Sequence, residues 1–342
     1  MSARLKALTG GTGLLGSHIA QQLVQNGERL RCLVRPSSDT AYLRSLGAEL
    51  VDGDLDDLDS IRRTVAGADT VYHAAAHVGD WGPWRLFRRN VIEATPRLLE
   101  ACRLEKVGRL LHVSSIMVYG HPKQRGNALF DENEPLGQKL GMWEYYAHAK
   151  IAAEELVRAY PGAWTIVRPS WIYGPRDRRT LPAFFKALRA GRVRLLGKGD
   201  NLLNLIYAAD VADGVIRAAA APHAIGQAYN LSSEGEMTQK QLLDLMTDAI
   251  GWPRVTRSIS FRMAFLGGLL SEIIGKMIFL KRRPHITRYA VTLVGRPTLY
   301  STDKARTQLG WQPRTSAAEG IRQSLEWFRS QPGSAELLTA PS

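Results

Sequence analysis

Thr9-Gly10-Gly11-Thr12-Gly13-Leu14-Leu15-Gly16 is the stretch that decides the fold. It follows a short apolar run, Leu5 to Leu8, and opens an amphipathic segment with helical spacing. Glycines at 10, 13 and 16 permit a tight turn, close approach of the backbone to a pyrophosphate, and close packing of a helix on the preceding strand. The helix N-terminus behind the loop adds unpaired N–H groups and partial positive charge, which suit a phosphate. We read the loop as a dinucleotide-binding turn contacted through Gly10, Thr12, Gly13, Leu14, Leu15 and Gly16.

Working outward, short apolar runs alternate with longer amphipathic ones as far as about Ala220, the rhythm of an α/β, doubly wound, Rossmann-like parallel sheet. The expected strands are Leu5 to Leu8, Arg29 to Val34, Glu49 to Asp52, Thr70 to Ala74, Arg109 to Val113 and Thr165 to Arg168. The division is a dinucleotide-binding domain over 1–175 and a smaller mixed α/β substrate lobe over 176–330, some of whose segments return to the sheet. A flexible tail over 331–342 completes it. Helices are expected over Leu181 to Ala190, Asp210 to Ala220 and Thr238 to Ile250, as parts of the lobe. Met263 to Leu280 is strongly apolar but interrupted by Glu272 and Lys276. These charges make a membrane span expensive and leave a packed helix, a substrate cap or a membrane-surface helix over 263–283 aided by Lys281-Arg282-Arg283.

The 342 residues, 45% hydrophobic and 23% charged, are enough for a substantial core and exclude wholesale disorder. Two cysteines, Cys32 and Cys102, exclude a disulfide framework and a multi-cysteine metal site, so a reducing, cytoplasmic setting is expected. No signal-peptide pattern opens the chain. The net charge of +13 favours anionic ligands or membrane surfaces, but the basic residues are scattered and no nucleic-acid-binding signature is present. No metal site is expected: His77 and His148 have no ligand-rich cluster around them and are read as hydrogen-bonded walls.

At the end of the second strand, where an acid normally holds the adenosine ribose, the chain reads Val34-Arg35-Pro36-Ser37-Ser38. Arg35 and the two hydroxyls suit a 2′-phosphate, so NADP(H) is preferred over NAD(H), with Asp39 close enough to complicate the choice. Asp54 and Leu55 after the third strand would bracket the adenine. Ala74-Ala75-Ala76 after the fourth offers small side chains where a cofactor passes close.

Glu144-Tyr145-Tyr146-Ala147-His148-Ala149-Lys150 opens a helix, and residues four apart share one face. Tyr146 and Lys150 are therefore neighbours, and a nearby ammonium would favour the phenolate and bring the tyrosine towards the working pH. Tyr145 has Ala149 at the equivalent place.

These strings, with Gly53-Asp54-Leu55, His112-Val113-Ser114-Ser115, Val118-Tyr119-Gly120 and Arg168-Pro169-Ser170-Trp171-Ile172-Tyr173-Gly174-Pro175, resemble an extended short-chain dehydrogenase/reductase from the glycine loop to about Gly320. The resemblance implies Ser115, Tyr146 and Lys150 as the catalytic set and Asn90 near the active site. It also implies that Pro169 and Ser170 touch the nicotinamide end, and that a homodimer forms. Ser114 competes with Ser115, but Ser115-Ile-Met-Val-Tyr119 has the family's spacing.

Within the family, Leu203 stands where sugar-nucleotide members usually carry arginine. The segments Ile286 to Ala290, Ser301 to Ala305 and Leu309 to Pro313 are similar to the 3β-hydroxysteroid dehydrogenase and dihydroflavonol reductase-like branch. The resemblance therefore implies an oxidoreductase interconverting a ketone and a secondary alcohol on a small hydrophobic substrate. Trp81, in Gly79-Asp80-Trp81-Gly82-Pro83-Trp84, would wall that substrate beside Ser115 and Tyr146. Arg288 and Arg296 are either binders of an acidic substrate group or solvated charges. The alternatives are a nucleotide-sugar epimerase or dehydratase with retained NAD and, more remotely, a redox-sensing binding protein.

Overall fold

The computed structural model describes residues 4–122, 129–280, 282–296 and 298–339. Its centre is a parallel sheet of seven strands: β1 (Leu5–Thr9), β2 (Arg29–Val34), β3 (Glu49–Asp52), β4 (Thr70–His73), β5 (Arg109–Val113), β6 (Trp164–Pro169) and β7 (Gln227–Leu231). Their order is β7-β6-β5-β4-β1-β2-β3. The order reverses between β1 and β4, and a crevice opens there beyond the carboxyl ends of the strands, where such sheets take ligands. Thr9 at the end of β1 lies opposite Leu33 on one side and His73 on the other, so the glycine loop begins in that crevice.

The strands read as apolar runs because both faces are covered. Leu8, Cys32, Leu111, Val167 and Tyr229 pack under α1 (Leu14–Gln25) and α5 (Ala208–Ala220). Their neighbours Ala7, Leu33, Leu110, Ile166 and Ala228 turn the other way. That face is covered by α2 (Leu58–Val65), α3 (Ala94–Leu104) and α4 (Tyr145–Arg158). The stretch Asp210 to Ala220, expected in the lobe, is therefore a sheet-covering helix paired with α1. Val211, Ala212, Val215 and Ala218 give it one continuous apolar face for the sheet.

The remainder forms the smaller lobe. A cluster of Leu181, Phe185, Met246, Ile321, Leu325 and Phe328 joins the helices Thr180–Arg189, Gln239–Asp248 and Ala317–Arg329. The tail differs from expectation up to residue 339, and 340–342 lie outside the described residues. Ser334–Leu338 is a short helix whose Leu337 and Leu338 join that cluster, and the Leu338 carbonyl accepts from Trp252 Nε1 at 3.2 Å.

α6 (Phe261–Met277) lies against α7 (Arg288–Gly295). Its inner side buries Ala264, Gly268, Glu272 and Gly275, whereas Met263, Leu266, Leu270, Ile274 and Met277 form an exposed apolar stripe at helical spacing. Among the described residues no helix is long and apolar enough to cross a membrane. Arg282 and Arg283 are exposed, and Lys281 of the expected basic run lies outside the described residues.

Candidate active site

The glycine loop is built around close backbone approach. A Cβ on Gly10 would come within 2.5 Å of the Ala75 nitrogen, and one on Gly16 within 2.0 Å of the Gly10 carbonyl oxygen. The loop is thus locked against the Ala74-Ala75-Ala76 turn after β4, whose Ala74 N–H donates to Thr9 at 3.1 Å. α1 begins at Gly13 with no side-chain cap and no acid in its first turn. The first amides and the positive end of its dipole, flanked by Thr12, Leu14 and Leu15, therefore face the crevice. These features fit a dinucleotide pyrophosphate.

At the end of β2, Val34 is buried and Arg35, Pro36 and Ser37 are exposed. The Asp39 carboxylate is already used: it pairs with Arg178 at 2.9 Å and accepts from the Ala41 N–H at 3.1 Å. Asp54 and Leu55 are half-buried at the end of β3, where the Asp54 carboxylate accepts from the Asp56 N–H at 3.3 Å. His77 packs edge-on against Phe87 at 4.8 Å, and burial with the Arg179 and Arg35 charges lowers its pKa.

β5 delivers Ser114 and Ser115 to the centre of the site. Ser114 donates its backbone N–H to Val167, and its hydroxyl is buried with no protein partner among the described residues. Ser115 caps the 3₁₀ turn Ile116–Tyr119, accepting from the Met117 N–H at 3.2 Å, and its hydroxyl lies near enough to Tyr146 to act on the tyrosine's pKa. The structure thus pairs Ser115, rather than Ser114, with the tyrosine. α4 places Tyr146 and Lys150 on one face. Its first turn is fixed by Glu144, which accepts from His121 Nε2 at 2.6 Å and the Gly141 N–H at 2.5 Å.

The electrostatics differ from the sequence expectation. Burial pushes the Tyr146 hydroxyl up to about 12, and only the Ser115 hydrogen bond pulls the other way. Lys150 is not among the groups that lower it, and its ammonium donates to the Val113 carbonyl at 2.7 Å. Burial brings Lys150 itself down to about 8, with Glu154 opposing.

One turn further along α4, Glu154 holds Arg168 of β6 through two hydrogen bonds of 2.9 and 2.6 Å, with both side chains at 1% exposure or less. Arg168 also donates to the Tyr119 hydroxyl at 2.8 Å. This network ties α4 to the strand that ends in Pro169 and Ser170. The Ser170 hydroxyl is buried without a protein partner among the described residues, a polar atom that also suits a cofactor. Asn90 is half-buried on a π-helical turn, Arg88–Glu93, which packs against α4. Such turns recur at functional sites.

Beside Tyr146 lies a cavity of about 680 Å³, lined by Trp81, Met117, Trp143, Tyr145, Tyr146, Phe265, Lys276, Phe279 and Tyr289 among others. Trp81 stands in its wall, donating Nε1–H to the Leu280 carbonyl at 2.9 Å. α6 and α7 close the cavity from the lobe side and bring in residues that spacing did not single out. Tyr289 is one, a phenol whose pKa is raised by burial and by the nearby Tyr146. Lys276, read in the sequence only as an interruption, is another. Among the described residues no cluster of side chains could hold a metal ion.

Residues 7–232 match the NAD dependent epimerase/dehydratase family. The 2-alkyl-3-oxoalkanoate reductase of Stenotrophomonas maltophilia is 31% identical over 322 residues, covering 92% of this chain and 96% of that protein. A ketoreductase of Stigmatella aurantiaca, named for 4-hydroxy-2-methyl-3-oxo-4-farnesyl-3,4-dihydroquinoline-1-oxide, is 30% identical over 92% of this chain and 93% of its own. The crystal structure of gox2253 superimposes with a TM-score of 0.76 at 27% identity, covering 96% of this chain and 98% of that one. With the glycine loop, the seven-stranded order and the Ser115–Tyr146–Lys150 arrangement in place, the chain belongs to the NAD dependent epimerase/dehydratase family, the extended short-chain dehydrogenase/reductases, and is an NAD(P)-dependent oxidoreductase.

Proposed function

We propose that the protein interconverts a ketone and a secondary alcohol on a hydrophobic metabolite, with NADP(H) as its preferred cofactor. The observation that carries this reading is Tyr146, with Ser115 acting on its hydroxyl, in the wall of a cavity that also presents Trp81, Met117, Trp143, Phe265, Phe279 and Leu280. The nicotinamide, when bound, supplies or accepts hydride. Tyr146 keeps its proton at neutral pH because burial holds its pKa near 12, so it is set to donate to a carbonyl oxygen as that oxygen gains charge. Ser115 holds the same oxygen in place by a second hydrogen bond. Lys150 would hold the cofactor ribose, and Ser170 with Pro169 would border the nicotinamide.

Arg35, with no acid paired to it among the described residues, supports a 2′-phosphate, as does the engagement of Asp39 by Arg178. The names of the two relatives support reduction of a keto group on a molecule with long apolar parts. Leu203, 1% exposed in an apolar setting, provides no cation for a sugar diphosphate at that position.

The test follows nicotinamide absorbance with NADPH and NADH against long-chain 2-alkyl-3-oxo compounds, polycyclic ketones and sugar nucleotides. The reading predicts consumption with apolar ketones and faster turnover with NADPH. Conversion of a sugar nucleotide by protein that retains NAD, with no ketone reduced, would overturn it.

A further inference from the structure

We propose that Lys276 is a docking point for a carboxylate on the substrate, so that the cavity takes an oxo acid with an extended apolar body. This rests on the cavity being the substrate site. Lys276 follows Glu272 by one helical turn on α6. Its ammonium lies 4.1 Å from the Trp143 ring centroid, 4.9 Å from Tyr145 and 6.0 Å from Trp81. Three aromatic rings hold the cation in place by cation–π attraction, yet among the described residues no carboxylate forms an ion pair with it.

The acids nearby are committed elsewhere. Glu272 accepts from the Arg288 backbone N–H at 2.7 Å and Nε at 2.8 Å. Glu144 is held by His121 and Gly141, and Asp80 by Arg283 at 2.5 and 2.7 Å. Burial lowers the Lys276 pKa, Glu272 opposes it, and Arg288 adds a smaller push downward. The cavity wall also carries Lys139, Arg85, Arg288 and Arg296 against the three carboxylates Asp80, Glu144 and Glu272. Its balance therefore favours an acidic ligand, with Lys276 as the cation set against Trp81, Trp143 and Tyr145. Tyr145 of the cage, Lys276 and Tyr146 all line the same cavity, so an acid held at Lys276 shares that space with the reacting hydroxyl. Met117, Phe265, Phe279 and Leu280 receive the apolar body.

The experiment compares an oxo acid with its methyl ester as substrates, and a long-chain fatty acid with the matching alcohol as ligands quenching tryptophan fluorescence. Wild-type protein, Lys276→Met and Lys276→Arg are measured alongside circular dichroism as a check of folding. Losing one charge-assisted hydrogen bond should raise KM for the acid, and weaken fatty-acid binding, by about tenfold or more in Lys276→Met. The ester and the alcohol should be unchanged, and Lys276→Arg should retain most of the preference. Equal effects on acid and ester, or a wild-type protein that binds acid and alcohol equally, would overturn the proposal. Fatty-acid discrimination dependent on Lys276 but without turnover of any ketone would leave the anion site standing and remove the proposed reaction.

Discussion

Replacing Glu154 by glutamine tests what holds the catalytic helix in register. The Glu154 carboxylate is wholly buried, and the Arg168 guanidinium it binds is 1% exposed. Two short bonds, the Tyr119 hydroxyl and the Tyr119 ring face at 4.9 Å complete the guanidinium's surroundings. Glutamine keeps one acceptor oxygen but turns an amide N–H₂ towards a group that can only donate. Breaking a buried ion pair from one side costs about 3–5 kcal/mol, and the retained acceptor places Glu154→Gln near the lower figure, about 3 kcal/mol. Urea unfolding followed by circular dichroism measures it directly. A total stability of about 5–15 kcal/mol makes the loss easy to see. The double variant Glu154→Met/Arg168→Met, which removes both charges, should recover most of the loss, because an apolar pair of similar volume leaves no buried charge unmatched. A Glu154→Gln protein within about 1 kcal/mol of wild type would refute the reasoning.

Two further outcomes are expected. His18 and His73 are lowered to about 3, each by burial first and then by a neighbouring cation, Arg176 and Lys150 respectively. The unfolded chain protonates them near 6.5, so stability is full above that pH and falls as pH drops towards 3. At pH 5 the loss is about 2 kcal/mol per histidine, and a urea midpoint unchanged between pH 7.5 and 5 would contradict it. Arg35→Ala should weaken NADPH binding by about tenfold or more and leave NADH nearly unchanged, the effect of one lost charge-assisted contact to phosphate. Equal loss for both cofactors, measured by fluorescence titration, would remove Arg35 from the phosphate site.

How far the sequence carries depends on whether the signal is local. β1 to β6 are legible because buried parallel strands are short apolar runs ended by turn residues, and the glycine loop is legible because its spacing is its mechanism. β7 is not legible as a strand, since Gln227-Ala228-Tyr229-Asn230-Leu231 alternates no simple pattern. Its polar residues are buried to meet partners far along the chain: Asn230 accepts from the Tyr119 hydroxyl at 2.7 Å, and the Tyr229 hydroxyl donates to Gln308 at 2.8 Å. Tyr146 and Lys150 share a helix face as their spacing requires, but the tyrosine's pKa is raised, because burial outweighs what lowers it, and burial depends on the packing of distant segments. The Lys276 cage is assembled from three segments: Trp81, Trp143 with Tyr145, and α6. No spacing within any one of them announces it. The apolar run around Lys276 was legible as a helix, while its double character, one side towards the cavity and one towards solvent, depends on the packing of α7.

The central claim is that Tyr146 donates and accepts the proton of a ketone–alcohol exchange. The most direct measurement is turnover of an apolar ketone with NADPH by Tyr146→Phe, alongside its cofactor affinity. The account predicts a rate lower by about 10²- to 10⁴-fold, the worth of a positioned proton donor, with NADPH binding retained. Turnover equal to wild type would contradict it.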